Sequence, residues 1–131
     1  MNSKKFTYRF TVPSSAIDNL GHVNNVIYLQ WCLEAAEAHW IAKTNAELRQ
    51  HYVWVVLNHS ISYKNPSFLG EELETQTWIY SHKGVKSERR YQIIRLSDGK
   101  TIIEAKTLWC LLDGETRRPI KIPTEIAELF L

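Results

Sequence analysis

Cysteine, metal-ligand clusters and long apolar runs are all scarce in this chain of 131 residues, and each scarcity closes off a class of protein. The two cysteines, Cys32 and Cys110, stand far apart in apolar surroundings with no CxxC spacing, which excludes a disulfide framework and reads as reduced core thiols. The five histidines, at 22, 39, 51, 59 and 82, show no metal-ligand spacing, so neither a metal nor another cofactor is expected. Sixteen Lys and Arg against 14 Asp and Glu leave a net charge of +2, too little to draw in nucleic acid. The basic pairs Lys4-Lys5, Arg89-Arg90 and Arg117-Arg118 read first as solvated faces. The longest apolar run, residues 52–57, falls far short of the roughly 20 residues a membrane span needs. The opening Met1 to Phe6 lacks the apolar core of a signal peptide, so a cytoplasmic location is the expectation.

What is present is enough for one core. A hydrophobic share of 44% fits a single domain over residues 1–131, with no repeat or linker to divide it. Residues 5–12 alternate, with Phe6, Tyr8, Phe10 and Val12 on one side, as a half-buried strand does. Residues 25–43 change to helical spacing, with Ile27, Trp31, Ala35, Ala38 and Ala42 on one stripe. A short helical turn is expected at 45–50. Strands follow at 52–64, 73–82, 86–96 and 101–112; Lys83-Gly84 turns one hairpin and Asp98-Gly99 the next. A short helix at 124–130, capped by Thr124, closes the chain. The order β-α-β-β-β-β predicts an α+β domain in which a curved antiparallel sheet wraps one long central helix.

Chemistry is concentrated just ahead of that helix. Between Asp18 and Tyr28 the sequence places a carboxylate, Gly21, the imidazole of His22 and the amides of Asn24 and Asn25. The first N–H groups of a helix have no internal partner and attract an anion or a polarised carbonyl oxygen. Asn24 or Asn25 is a favourable N-cap, and Gly21 permits a close approach. A carboxylate beside such donors can attack a carbonyl or direct water at it. The structural alternative is that Asp18 only caps its turn, and His22 only holds the loop.

The run D-x-x-G-H-V-N-N-x-x-Y from Asp18 to Tyr28, followed by Trp31 and Glu34, resembles the 4-hydroxybenzoyl-CoA thioesterase branch of the hotdog-fold acyl-CoA and acyl-carrier-protein thioesterases. Pro66 with Gly70-Glu71-Glu72-Leu73, and the segment from Arg118 to Pro123, are similar to further parts of that family. The chain departs from many relatives at Ala16, Ser14 and Pro13, where they carry an acid and a basic or aromatic residue. The resemblance implies hydrolysis of an acyl-CoA or acyl-carrier-protein thioester. In it Asp18 is nucleophile or general base, the backbone N–H near Asn25 polarises the carbonyl, and His22 stands beside them. It implies substrate contacts at Gly21, Asn24, Tyr28 and Trp31. Lys83, Lys86, Arg89 and Arg90 would meet the coenzyme's phosphates. It also implies a homodimer or homotetramer with the site at the subunit boundary. Two alternatives stay open: a hotdog domain that binds a thioester without cleaving it, and a hotdog hydratase or dehydratase.

Overall fold

The computed structural model describes residues 4–131; Met1 to Ser3, the start of the stretch read as lacking a leader, lie outside the described residues. The elements follow the expected order: β1 (Phe6–Thr11), a 3-10 turn (Ser14–Ala16), α1 (Asn25–Lys43), α2 (Ala46–His51), β2 (Tyr52–Tyr63), β3 (Glu72–Lys83), β4 (Lys86–Arg95), β5 (Thr101–Asp113) and α3 (Thr124–Glu128). All strand pairs are antiparallel, in one five-stranded sheet of order β1-β3-β4-β5-β2. The six-residue β1 and the twelve-residue β2 are its edges.

Alternation decides which side of the sheet the helix covers. Leu73, Thr75, Thr77 and Ile79 of β3 and Ser87, Arg89, Tyr91 and Ile93 of β4 are buried, while the residues between them are more exposed, apart from Glu74, which is buried. Against this face α1 sets Tyr28, Cys32, Ala35, Ala36 and His39. The two alanines leave room for a close approach, and each fully buried Ile or Leu opposite contributes about 1.5–3 kcal/mol. The expected stripe met this line at Ala35 and otherwise ran beside it. Ile27, Trp31 and Ala38 flank the buried line, and Ala42 is exposed. The polar His39, which a hydrophobic count passes over, occupies the place that Ala38 was expected to fill.

A second, smaller core lies near the chain's end. Leu111, Ile122 and Ile126 gather there with Trp40, Leu48, Tyr52 and Trp54. The segment from Arg118 to Ile122 runs beside β5 and the β3–β4 turn, with Ile120 N–H donating to Leu111 O and Ile122 N–H to Gly84 O, both at 3.0 Å. Gly114 has no room for a side chain, since a Cβ there would stand 1.7 Å from the Gln50 carbonyl oxygen. Thr124 does not cap α3; the cap position is Pro123, which makes no side-chain cap bond. Proline fits because its fixed φ suits a helix entry.

Candidate active site

The loop from Asp18 to His22 is closed at its base by a bridge between Ile17 and Val23. Asp18 N–H donates to His22 O at 3.0 Å and Gly21 N–H to Asp18 O at 3.1 Å, and Gly21 has φ of +84°, which a side chain would resist. Two outside bonds fix the loop's position: Asn24 N–H to Ala16 O and Val23 N–H to Ser67 O, both at 2.9 Å. The Asp18 side chain is 27% exposed, and its Oδ1 accepts from Leu20 N–H at 2.9 Å. Oδ2 has no hydrogen-bond partner among the described residues. Asp18 thus caps its turn with one oxygen and keeps the other free.

The start of α1 is arranged in the same divided way. Asn24 is the N-cap, its Oδ1 accepting from Val26 N–H at 3.0 Å, and its backbone oxygen takes the Ile27 N–H. Asn25 N–H, one position into the helix, has no acceptor among the described residues, which leaves a polarised donor at the surface. His22 Nδ1 lies 3.9 Å from Asp18 Oδ1 and 3.3 Å from Val23 O. His22, Asn25, Tyr28, Tyr63 and Asn65 line a cleft of about 220 Å³ here, and Asp18 is not part of its wall.

Beneath the cleft, Tyr28 is buried and its hydroxyl shares a 2.6 Å hydrogen bond with Ser67 Oγ. Burial pushes the Tyr28 pKa up, the hydrogen bonds to Ser67 opposing it. The loop carrying Ser67 is held in turn by Arg95, which bonds Pro66 O at 3.1 Å and Glu71 at 3.2 Å, while Glu71 also accepts from Phe68 N–H at 2.6 Å. The proline-to-acid segment is therefore a brace under the Asp18 loop. Neither Ser67 nor Tyr63 was expected from the sequence. A serine after a proline carries no signal, and Tyr63 belongs to the site only because β2 ends beside α1.

The remaining expected residues separate. Trp31 packs on Phe10 at 4.6 Å and Tyr28 at 5.6 Å between ring centroids, in the core's margin. Glu34 is exposed on α1. Lys83 and Lys86 face each other, exposed, at the β3–β4 turn. Arg90, on the outer face, bonds Glu88 at 2.8 Å and lies 3.3 Å over the Tyr80 ring. Arg89 points the other way, 5% exposed, which removes it from any surface group that could meet phosphates. Strand alternation sends adjacent residues to opposite faces, so Arg89 and Arg90 could not act together.

Sequence reasoning also passed over a cavity of about 370 Å³ between the second half of α1 and the sheet, walled by residues that include Trp40, Trp54, Trp109 and Phe130. Among the described residues, no cluster of His, Cys, Asp and Glu could hold a metal ion, and no helix is long and apolar enough to cross a membrane.

Over residues 3–130 the sequence matches the family described as the acyl-ACP thioesterase N-terminal domain. The chain belongs to that family. Its curved sheet around α1 is the hotdog fold. This thioesterase-family domain superposes on a 1,4-dihydroxy-2-naphthoyl-CoA thioesterase from Synechocystis with a TM-score of 0.85 at 19% identity, over 97% of this chain and 96% of the other. On a 4-hydroxybenzoyl-CoA thioesterase variant in complex with 4-hydroxybenzoyl-CoA the TM-score is 0.86 at 19% identity, over 97% and 99%. Among curated relatives, a chloroplastic palmitoyl-acyl carrier protein thioesterase of Arabidopsis thaliana is 29% identical over 79 residues, 60% of this chain and 19% of the relative. The oleoyl-acyl carrier protein thioesterase 1 of the same plant is 23% identical over 134 residues, 98% of this chain and 37% of its own. This thioesterase-family domain thus spans between about a fifth and just over a third of those relatives' length.

Proposed function

We propose that the protein hydrolyses an acyl thioester of coenzyme A or acyl carrier protein, with Asp18 and the Asn25 N–H as its working groups. The observation that carries this reading is their shared state: a carboxylate oxygen on a braced loop and an N–H at the start of the helix that follows it, both without partners among the described residues. The thioester oxygen takes the Asn25 N–H, which stabilises the negative charge that grows there as the carbonyl carbon becomes tetrahedral. Asp18 Oδ2 then takes a proton from a water that attacks that carbon and the thiol leaves, or it attacks the carbon itself, the thiol leaves, and water cleaves the resulting mixed anhydride to free acid. His22 positions the carboxylate and edges the cleft. Family membership and the acyl-CoA and acyl-carrier-protein thioesterases among the relatives support the reaction class.

We further propose that the active form is at least a dimer, joined along β2. That edge strand is twelve residues long and exposes Val55, Val56, Leu57 and Tyr63. An unpaired edge of that length favours pairing with a second copy. A two-fold axis through the middle of β2 would bring its Tyr63 end, beside the Asp18 loop, against the Tyr52 end of the other copy.

The test is release of free thiol from short, long and aromatic acyl-CoA and acyl-carrier-protein thioesters, with enoyl absorbance followed in parallel. Thiol release without an enoyl change is the expected result. Binding of these thioesters without release would leave a carrier or effector domain instead, and an enoyl signal would point to hydration chemistry.

A further inference from the structure

The 370 Å³ cavity is walled mainly by apolar side chains, among them Leu33, Ala36, Trp40, Tyr52, Trp54 and Trp109, yet Arg89 also forms part of its wall. The Arg89 guanidinium donates to His39 Nδ1 at 2.9 Å and Thr77 Oγ1 at 3.1 Å, and lies 5.6 Å from the centre of the Phe130 ring. None of these groups carries negative charge. Burial pulls the Arg89 pKa down to about 10, so the group stays charged near neutral pH. The same burial, with Arg89 and then Lys43 nearby, holds His39 at about 3, so the imidazole is neutral and accepts the bond.

Among the described residues, no carboxylate pairs with Arg89 within 4 Å. The other charged groups on the cavity wall, Glu37 and Arg49, are an exposed residue on α1 and a guanidinium already bonded to Thr44 O and Oγ1 at 3.0 and 3.1 Å. Next to Arg89 on the same face of β4, Ser87 also lines the cavity, and its buried hydroxyl has no hydrogen-bond partner. His82, paired with Ser87 across the strands, has two buried ring nitrogens without partners. The wall of an apolar space thus holds a cation and an unbonded hydroxyl, with an unpartnered imidazole across the strands from that hydroxyl, and no carboxylate pairs with the cation. Leaving a buried charge without a counter-ion costs several kcal/mol, and leaving polar atoms unbonded adds to that. A residue kept only to fill space there would be Leu or Met.

We propose that this cavity binds the carboxylate of an aliphatic acid, with Arg89 and Ser87 holding the carboxylate oxygens and the hydrocarbon lying among the tryptophans. Two sources supply that chemistry. One is a free fatty acid. The other is the far end of an acyl thioester whose chain carries a second carboxyl group, and this second source rests on the proposed thioesterase reading, while the first does not.

Tryptophan fluorescence reads the binding directly, because Trp40, Trp54 and Trp109 line the cavity. The intact chain is titrated with decanoate and with decanol, which has the same hydrocarbon and no charge. Saturable binding of decanoate at least tenfold tighter than decanol is expected, and Arg89→Met should erase the difference while keeping decanol binding. Equal affinities in the natural protein, binding of neither, or a decanoate preference that survives in folded Arg89→Met would overturn the proposal; the first two need no variant. Turnover then separates the sources. A preference for ω-carboxydecanoyl-CoA over decanoyl-CoA that Arg89→Met abolishes assigns the substrate's far end. Decanoate binding without that preference assigns the free acid. Decanoate binding with no turnover of any thioester supports the cavity assignment and refutes the thioesterase reading alone.

Discussion

Replacing Asp18 with Asn separates chemistry from structure at a single oxygen. The turn depends on Oδ1, which accepts the Leu20 N–H, and on backbone bonds that do not involve the side chain. Asn keeps an Oδ1 in the same place, so the loop should persist and stability should change by no more than about 0.5 kcal/mol, the usual range for a partly exposed site. The atom that changes is Oδ2, which becomes an NH2 group and can neither attack a carbonyl nor accept a proton from water. General-base removal costs about 10²–10⁴ in rate, which corresponds to about 2.7–5.4 kcal/mol of transition-state stabilisation. Asp18→Ala adds the loss of the turn bond and should match Asn in activity while falling a further ~0.5–1.5 kcal/mol in stability. Thiol release gives kcat, urea unfolding gives stability, and acyl-CoA binding shows that the site remains. A folded Asp18→Asn protein with kcat within about threefold of the natural one would refute the mechanism, since even the low end of base removal is larger. The exposed Glu34 would then be the carboxylate to test.

Tyr28→Phe leaves Ser67 Oγ, on a fully buried serine, without its partner, so urea unfolding should show a loss of about 1–3 kcal/mol; an unchanged midpoint would mean the bond stabilises nothing. Acid should destabilise the fold early: His39 titrates at about 3 when folded and near 6.5 when unfolded, so the unfolded chain binds the extra proton as pH falls from 6.5. Stability is then lost downward through that window at up to about 1.4 kcal/mol per pH unit, His82 and His59 being shifted the same way, and a flat profile between pH 6.5 and 5 would contradict it. Leu57→Lys sets a charge on the exposed edge of β2 and should give monomers of reduced activity in sedimentation, whereas fully active monomers would remove the dimer proposal. Lys83→Ala with Lys86→Ala should raise KM for acyl-CoA and leave kcat nearly unchanged, less so as salt rises; an equal effect with a pantetheine thioester would exclude phosphate contact.

How much of this the sequence displayed depends on the kind of signal. Element order and most boundaries were legible because alternation in 73–82 and the Asp-Gly turn at 98–99 are local patterns. The Asp18 loop was legible because capping and glycine chemistry are also local. The burial of His39 was missed because Arg89 hydrogen-bonds its ring, and that pairing joins residues fifty positions apart. Pairings of that kind leave no periodic trace. The brace through Ser67, Glu71 and Arg95 was invisible for the same reason. The three tryptophans of the cavity stood in the composition all along, but nothing in their spacing places them around one space.

The distances within one protomer bear on how these parts could work together. Asn25 and His39 are fourteen residues apart on one helix, or about 21 Å at 1.5 Å per residue. The Ser67 loop precedes β3 and Lys83 ends it, so the basic turn lies a strand's length away, roughly 36 Å for eleven steps. A single protomer thus presents the Asp18 loop at one end and both the cavity and the basic turn at the other. A two-fold pairing along β2 reverses one copy against the other, and β5 carries the register inward, with Val55 opposite Cys110 and Cys110 opposite Lys86. In the proposed dimer the Tyr52 end of β2, with the cavity and the Lys83–Lys86 turn, would therefore lie toward the other copy's loop. An acyl thioester has three parts, a chain, a reacting carbonyl and a phosphate-bearing carrier, and the proposed pairing would set the cavity and basic turn of one copy toward the Asp18 loop of the other. Under the proposed pairing, breaking the edge should cost activity without touching a catalytic atom.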